Sequence, residues 1–94
     1  MNKYESVVII NPTVDEEGMK AIVSKYTDLI NTDGKLEKVE ELGKRKLAYN
    51  VKKFEEGFYT IFYFEANPSL ITELERNYRI SDEIIKFMTI KKEK

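Results

Sequence analysis

Basic side chains are concentrated in one stretch of the chain, between residues 44 and 53. Five of them lie there with no acidic residue in between: Lys44, Arg45, Lys46, Lys52 and Lys53. Such residues can contact RNA phosphates without reading the base sequence, and they then position a protein on the RNA. Lysines can also protect the exposed edge of a β-sheet against aggregation. The clustering of the five cations favours RNA only slightly over edge protection.

The composition gives little support to catalytic chemistry. The chain has no cysteine and no histidine, which excludes disulfides, zinc–thiolate sites and thiol catalysis and removes the commonest general base. The serines therefore have no histidine to activate them. The glycines are isolated, so none belongs to a phosphate-binding loop. We expect no enzymatic activity, no metal, no cofactor and no small-molecule substrate.

The charge balance bears on the kind of partner. The net charge is only −1 although 35% of the residues are charged, and a protein that binds RNA unaided is usually more basic. An RNA-binding role therefore requires cations sorted onto one region, or a second protein that helps. The sequence shows no signal peptide and no apolar run of membrane-spanning length. We expect a cytoplasmic protein with no membrane partner.

Hydrophobic periodicity predicts the first two elements. Residues 4–10 are rich in β-branched side chains and predict a strand, which Asn11 and Pro12 end because proline cannot donate to a ladder. A helix should follow, with Thr13 as its cap and Glu16 completing a capping box. It should end near residue 31, with Asp33 and Gly34 supplying a left-handed exit.

A long hairpin should come next. Residues 35–41 and 46–53 predict one strand with a bulge at Gly43, and residues 58–66 predict its partner after a turn at residues 55–57. Alternate residues in the second part of the first strand are apolar and should anchor the cations in the core: Leu47, Tyr49 and Val51.

The end of the chain completes the fold prediction. Asn67 and Pro68 are typical of a helix start, and this helix should end near Arg79. Residues 84–90 predict the last strand, and residues 91–94 a short charged tail. The order β-α-β-β-α-β predicts a single ferredoxin-like α+β domain over residues 1–94, with a four-stranded antiparallel sheet and two helices on one face. Its first and third strands should be central.

Strand alternation divides the sheet residues between two faces. We place Phe62 and Phe64 under the helices. The opposite face is then too apolar for a surface in contact with water only, which favours a protein partner over a tolerated solvent face: Val7, Ile9, Tyr59, Ile61 and Tyr63. An RNA-recognition motif shares the topology, but Glu56 and Thr60 occupy positions where that motif has a basic residue and an aromatic residue that stacks on RNA.

Residues 43–49 read Gly-Lys-Arg-Lys-Leu-Ala-Tyr, and this stretch resembles the signature of the bacterial small-subunit ribosomal protein S six (S6) family. The resemblance covers nearly the whole chain, with like residues at further positions: Tyr4, Glu5, Asn11, Pro12, Gly34, Glu40, Glu41, Leu42, Lys52, Lys53, Gly57, Arg79, Ile80 and Asp82. It implies a structural constituent of the small ribosomal subunit. In that role the protein would bind the central domain of 16S ribosomal RNA together with ribosomal protein S eighteen and aid platform assembly.

The resemblance also implies where RNA would be contacted. Carried over by position, Lys3 and Tyr4 near the N-terminus, the five hairpin cations and Lys86 on the last strand are the RNA-facing candidates. The alternative from the residues alone is a ferredoxin-like interaction or regulatory module that self-associates through its open sheet face. The size of the free protein in solution would discriminate between the two.

Overall fold

The computed structural model describes residues 1–92 of the chain, and it has the predicted β-α-β-β-α-β order. The elements are β1 (Asn2–Ile10), α1 (Glu16–Thr32), β2 (Gly34–Val51), β3 (Phe54–Ala66), α2 (Pro68–Ile80) and β4 (Ile84–Lys92). The four strands form one antiparallel sheet in the order β2-β3-β1-β4. The predicted ferredoxin-like fold and the central position of β1 and β3 are therefore confirmed.

Alternate residues of the central strands build the core beneath the helices. Val8, Ile10, Phe62 and Phe64 are fully buried and pack in one cluster with apolar residues of both helices. The helical contributors recur at helical spacing, as expected for one apolar stripe per helix: Ile22, Tyr26 and Ile30 from α1, and Leu70, Leu74 and Tyr78 from α2. The prediction that Phe62 and Phe64 lie under the helices is confirmed.

Tyr78 makes a buried polar contact between α2 and the sheet. Its hydroxyl lies 2.8 Å from the hydroxyl of Ser6, and Ser6 in turn lies 3.2 Å from the hydroxyl of Thr89 on β4. Burial raises the pKa of Tyr78, because the ionised phenolate would lose its hydration in the core. The neutral hydroxyl is therefore part of the packed structure.

The start and the end of α1 differ from the predictions. The helix begins at Glu16, and its cap is Asp15, which accepts a hydrogen bond of 2.8 Å from the Gly18 N–H. Thr13 instead donates to the side chain of Asn11, so the predicted capping box is wrong. The left-handed exit is also wrong, because Asp33 has a φ of −144° and Gly34 is already the first residue of β2.

The strands are longer than predicted. β3 begins at Phe54 rather than at residue 58, so residues 55–57 lie within a strand and the predicted turn there is wrong. β4 continues through Lys91 and Lys92, which pair with Tyr4 and Lys3 of β1. The first half of the predicted charged tail is thus part of the sheet, and Glu93 and Lys94 lie outside the described residues.

Candidate nucleic-acid interface

The end of the β2–β3 hairpin folds over the end of the sheet that lies near Ile9. Gly43 has a φ of +81° beside a register shift between Glu41 and Gly43, which confirms the predicted bulge. A positive φ strongly favours glycine because it has no Cβ. A second irregularity follows between Lys46 and Val51. The residues between Lys46 and Val51 therefore have no regular partner on β3, and we call residues 47–54 the hairpin tip.

Leu47 holds the hairpin tip in place. It is only 7% exposed and packs against Ile9 of β1 and Ile85 of β4, in a small apolar cluster separate from the core beneath the helices. Val51 and Phe54 pack against the same cluster. The predicted anchoring by Leu47 is confirmed. It is wrong for Tyr49, which is 63% exposed, because the irregular register ends the simple alternation of sides along β2.

Lys52 and Lys53 form the turn of the hairpin. Val51 pairs with Phe54, so the turn has two residues, and their φ values are 50° and 70°. Two-residue hairpin turns with positive φ at both positions usually carry Asn-Gly or a similar pair, and lysine in this region is strained by about 1–3 kcal/mol per residue. The strained turn projects two cations from the end of the hairpin.

Lys86 on β4 lies beside the hairpin tip. Its ammonium group donates a hydrogen bond of 2.8 Å to the Tyr49 hydroxyl and lies 4.8 Å from the centroid of the Tyr49 ring. Tyr49 thus connects the last strand with the hairpin, although the two are far apart in sequence. The structure brings this predicted cation to the end of the sheet that carries the hairpin cations.

The remaining cations of the hairpin are exposed. Lys44 lies over the Phe58 ring at 5.4 Å, and Arg45 makes only a long contact of 3.4 Å with the Leu42 carbonyl oxygen. Lys46 pairs across the ladder with Glu56 of β3. This acid was outside the basic stretch in sequence, and the hairpin brings it close to the cations. The basic surface therefore lies beside the acidic residue Glu56, which the sequence order alone did not indicate.

The structure separates the two N-terminal candidates from the hairpin. Lys3 pairs with Lys92 and Glu65, at the other end of β1, and forms a 3.6 Å ion pair with Glu37. Tyr4 is 7% exposed, and its ring stacks on Phe64 with centroids 5.7 Å apart. The position of Tyr4 is therefore corrected from an RNA-facing residue to a core residue.

The face of the sheet opposite the helices carries the predicted protein-partner residues. Val7 pairs with Ile61 and Ile9 with Tyr59, so these side chains share one face with Tyr63. Ile9 is buried by the hairpin tip and the others are half-buried. β4 adds two apolar residues that the sequence reasoning missed, Met88 at 56% exposure and Ile90 at 43%. Alternation on β4, once paired with β1, would have found both.

We call the apolar residues on this side of the sheet the open face: Val7, Ile9, Tyr59, Ile61, Tyr63, Met88 and Ile90. A shallow depression of about 240 Å³ lies beside Val7, Tyr59 and Met88. At the rim, the Tyr63 hydroxyl donates to the Glu40 carboxylate at 2.9 Å, and this hydrogen bond raises the pKa of Tyr63. An apolar centre with a polar rim is typical of a protein–protein interface.

Other kinds of site have little basis in residues 1–92. No group of acidic side chains in this range is arranged to hold a metal ion. The groups with shifted pKa values are tyrosines, and burial or a hydrogen bond accounts for each. No helix in the same range combines the length and the apolar character needed to cross a bilayer.

Comparison with known proteins identifies the relatives of the chain. The family described as Ribosomal protein S6 matches residues 3–91. Two curated relatives named small ribosomal subunit protein bS6 match as well. The one from Clostridium botulinum is 51% identical, over 99% of this chain and 100% of its own. The one from Clostridium novyi is 46% identical over the whole of both chains.

A solved structure agrees with the sequence matches. The crystal structure of 30S ribosomal protein S6 from Thermotoga maritima superimposes with a TM-score of 0.91 at 42% sequence identity. The alignment covers 97% of this chain and 87% of that one.

Proposed function

Because the chain belongs to the ribosomal protein S6 family, a non-enzymatic family of the small ribosomal subunit, we propose that it binds the central domain of 16S ribosomal RNA together with ribosomal protein S eighteen. In this role it helps to assemble the platform of the subunit. It acts in the cytoplasm as part of the ribosome, as its relatives do. The observation that carries the proposal is the division of the surface into a basic hairpin end and an apolar open face.

The basic end suits RNA phosphates. Lys44, Arg45 and Lys46 are exposed on β2, and Lys52 and Lys53 extend from the turn. Lys86 lies nearby on β4, where its ammonium group donates a hydrogen bond to the Tyr49 hydroxyl of the hairpin tip. We retain these residues as the proposed RNA contacts. Lys3 remains a proposed second contact at the other end of the sheet, and Tyr4 is removed from the set.

The open face suits the partner protein. Met88 and Ile90 leave apolar surface in water beside half-buried Val7 and Ile61, and covering it would release that surface from solvent. The near-neutral charge of the chain fits the same arrangement, because a partner bound on this face can supply positive charge to the RNA. We therefore expect the two proteins to bind RNA as a pair.

The proposal is tested by RNA binding with and without the partner. We expect the chain alone to bind a central-domain RNA fragment weakly, and binding with ribosomal protein S eighteen to be strong and to weaken steeply with salt. Charge reversal of Lys44, Arg45 and Lys46 to glutamate should then lower the affinity by roughly a thousandfold, on the order of one power of ten for each of the three cations.

The matched control reverses Lys25, Lys35 and Arg76, which are exposed and are not among the proposed RNA contacts. It should lower the affinity much less. Equal RNA affinity with and without the partner would contradict the proposal. A stable dimer of the free chain that buries Tyr59 and Tyr63 and ignores RNA would favour the self-associating module instead.

A further inference from the structure

A second depression, outside the open face, lies where the hairpin turn, the end of α2 and the start of β4 meet. Its volume is about 320 Å³. Three cations line it: Lys52 from the turn, Arg79 from α2 and Lys86 from β4. The other lining residues are aromatic or aliphatic, and no acidic side chain is among them. Three parts of the chain that are distant in sequence thus direct positive charge to one place.

We propose that this depression, which we call the basic depression, binds a backbone phosphate of the RNA and that Arg79 is one of its ligands. This inference rests on the proposed RNA-binding function and adds Arg79 to it. Two oxygens of a phosphate can accept a pair of parallel hydrogen bonds from a planar guanidinium, a geometry that a lysine ammonium cannot reproduce. The lysines on either side would complete the neutralisation of the phosphate charge.

Arg79 is held in position but remains available. Its guanidinium carbon lies over the Phe87 ring of β4, 5.6 Å from the ring centroid, within the range of a cation–π attraction. Its partner Glu75 is 3.7 Å away, at the helical i,i+4 spacing, and the Arg79 side chain is 64% exposed. A surface pair of this kind contributes little, so a phosphate can replace the carboxylate.

The two lysines are also fixed by their surroundings. Lys86 uses one of its donors on the Tyr49 hydroxyl, and an ammonium group has further donors to offer. Lys52 sits in the turn at a φ of 50°, a conformation that lysine rarely adopts. Strain kept at one place on the surface is typical of a functional position. Lys52 is exposed at this turn and lines the basic depression.

Arg76 offers a matched control on the same helix. It lies one turn before Arg79, and both of its hydrogen bonds go to the Glu73 carboxylate, at 2.6 and 2.8 Å. It does not line the basic depression. Arg76→Gln and Arg79→Gln therefore remove the same charge from α2 but differ in which surface loses it. Long-range attraction alone would make the two variants equal.

The experiment measures affinity for the central-domain RNA fragment in the presence of ribosomal protein S eighteen, at several salt concentrations. We expect Arg79→Gln to weaken binding by roughly five- to tenfold, the size of one charge-assisted contact in water. The slope of log affinity against log salt should fall by about one. Arg76→Gln should change the affinity by less than about twofold. Arg79→Lys should recover only part of the loss.

Three further substitutions test the same site and show whether a loss of binding comes from misfolding. Lys52→Asn removes the cation but keeps the turn, because asparagine tolerates a positive φ, and it should weaken binding as Arg79→Gln does. Glu75→Gln should strengthen binding, since it releases Arg79, whereas Glu73→Gln removes the same charge beside Arg76 and should strengthen it less. Thermal unfolding of each variant confirms that the chain is folded.

The outcomes separate this inference from the function on which it rests. Equal losses of RNA affinity for Arg79→Gln and Arg76→Gln would contradict phosphate binding in the basic depression. The proposed function would still hold if the unmodified chain binds RNA in a partner-dependent way. A loss of affinity for the partner protein in the absence of RNA would also overturn the inference, because Arg79 would then be a protein contact. If the unmodified chain shows no partner-dependent RNA binding, the proposed function fails and the inference fails with it.

Discussion

The two faces of the sheet use alternate residues of the same strands, yet the protein covers only one of them. On the helix side Val8 and Phe62 are fully buried. On the other side Val7 and Ile61, their neighbours in sequence, are half-buried, and Met88 is mostly exposed. Apolar side chains occur on both faces, so their presence alone does not distinguish a core from an interface. What distinguishes them is whether the chain has an element left to cover the face.

This difference predicts separate roles for the two faces. Substitutions on the helix side should act on the free energy of unfolding, because they leave cavities in a packed core. Substitutions on the open face should act on partner binding, because the apolar surface there is not yet withdrawn from water. The following variants test this separation, in order of their expected effect on stability.

The largest effect is expected for Val8→Ala, compared with Val7→Ala. The two valines are adjacent in β1 and lose the same two methyl groups, but only Val8 is fully buried. We expect Val8→Ala to lower the free energy of unfolding by about 2 kcal/mol, and Val7→Ala by less than about 1 kcal/mol. Urea unfolding followed by circular dichroism measures both. Equal losses would mean that the open face is packed as tightly as the core.

Tyr78→Phe should have an intermediate effect that depends on pH. It removes the contact with Ser6, which keeps Thr89 as a partner, and at pH 7 we expect a loss of about 1 kcal/mol. Burial raises the pKa of Tyr78 above its unfolded value of 10.0. The folded state therefore keeps this proton while the unfolded state loses it, and the stabilisation present below pH 10 declines as the pH rises further.

The decline should amount to about 1.4 kcal/mol per pH unit for this one proton. Unfolding measured at several pH values between 9 and 11 should thus show a shallower fall for Tyr78→Phe than for the unmodified protein. Parallel curves for Tyr78→Phe and the unmodified chain would show that the raised pKa does not contribute.

The smallest effect on stability is expected for Met88→Glu on the open face. Because the side chain is mostly exposed, the free energy of unfolding should change by less than about 0.5 kcal/mol. Affinity for ribosomal protein S eighteen should nevertheless fall by roughly tenfold or more, since a charge would be buried at an apolar contact. Titration calorimetry measures it. An unchanged affinity would exclude this part of the open face from the interface.

The sequence predicted the faces of the sheet well because alternation is a local signal. Ser6, Val8 and Ile10 occupy every second position of β1, and their burial follows directly. The same alternation includes Tyr4, which is on the buried side, so the pattern contained the information that corrects its assignment. Similarity to a family carried Tyr4 over by position and did not consider the direction of its side chain.

The hairpin tip could not be predicted in the same way. Its conformation depends on Leu47 packing against Ile9 and Ile85, residues that are distant in sequence. The two turn residues, Lys52 and Lys53, are neither glycine nor asparagine, so the sequence does not indicate a turn there. Residues 55–57 contain a glycine, and a turn is therefore predicted at that place instead. Gly57 in fact permits a close approach, because a Cβ there would meet the Ile9 side chain and the Ile10 carbonyl oxygen.

The pairing of β1 with β4 has a consequence for how the chain is made. Lys3 lies beside Lys92 in the finished sheet, so one of the two central strands lacks a neighbour until β4 has left the ribosomal exit tunnel. Contacts of such high sequence separation form late, since closing a long loop is slow. Until then β1 can pair only with β3, and the backbone groups along its other edge are open to wrong pairing.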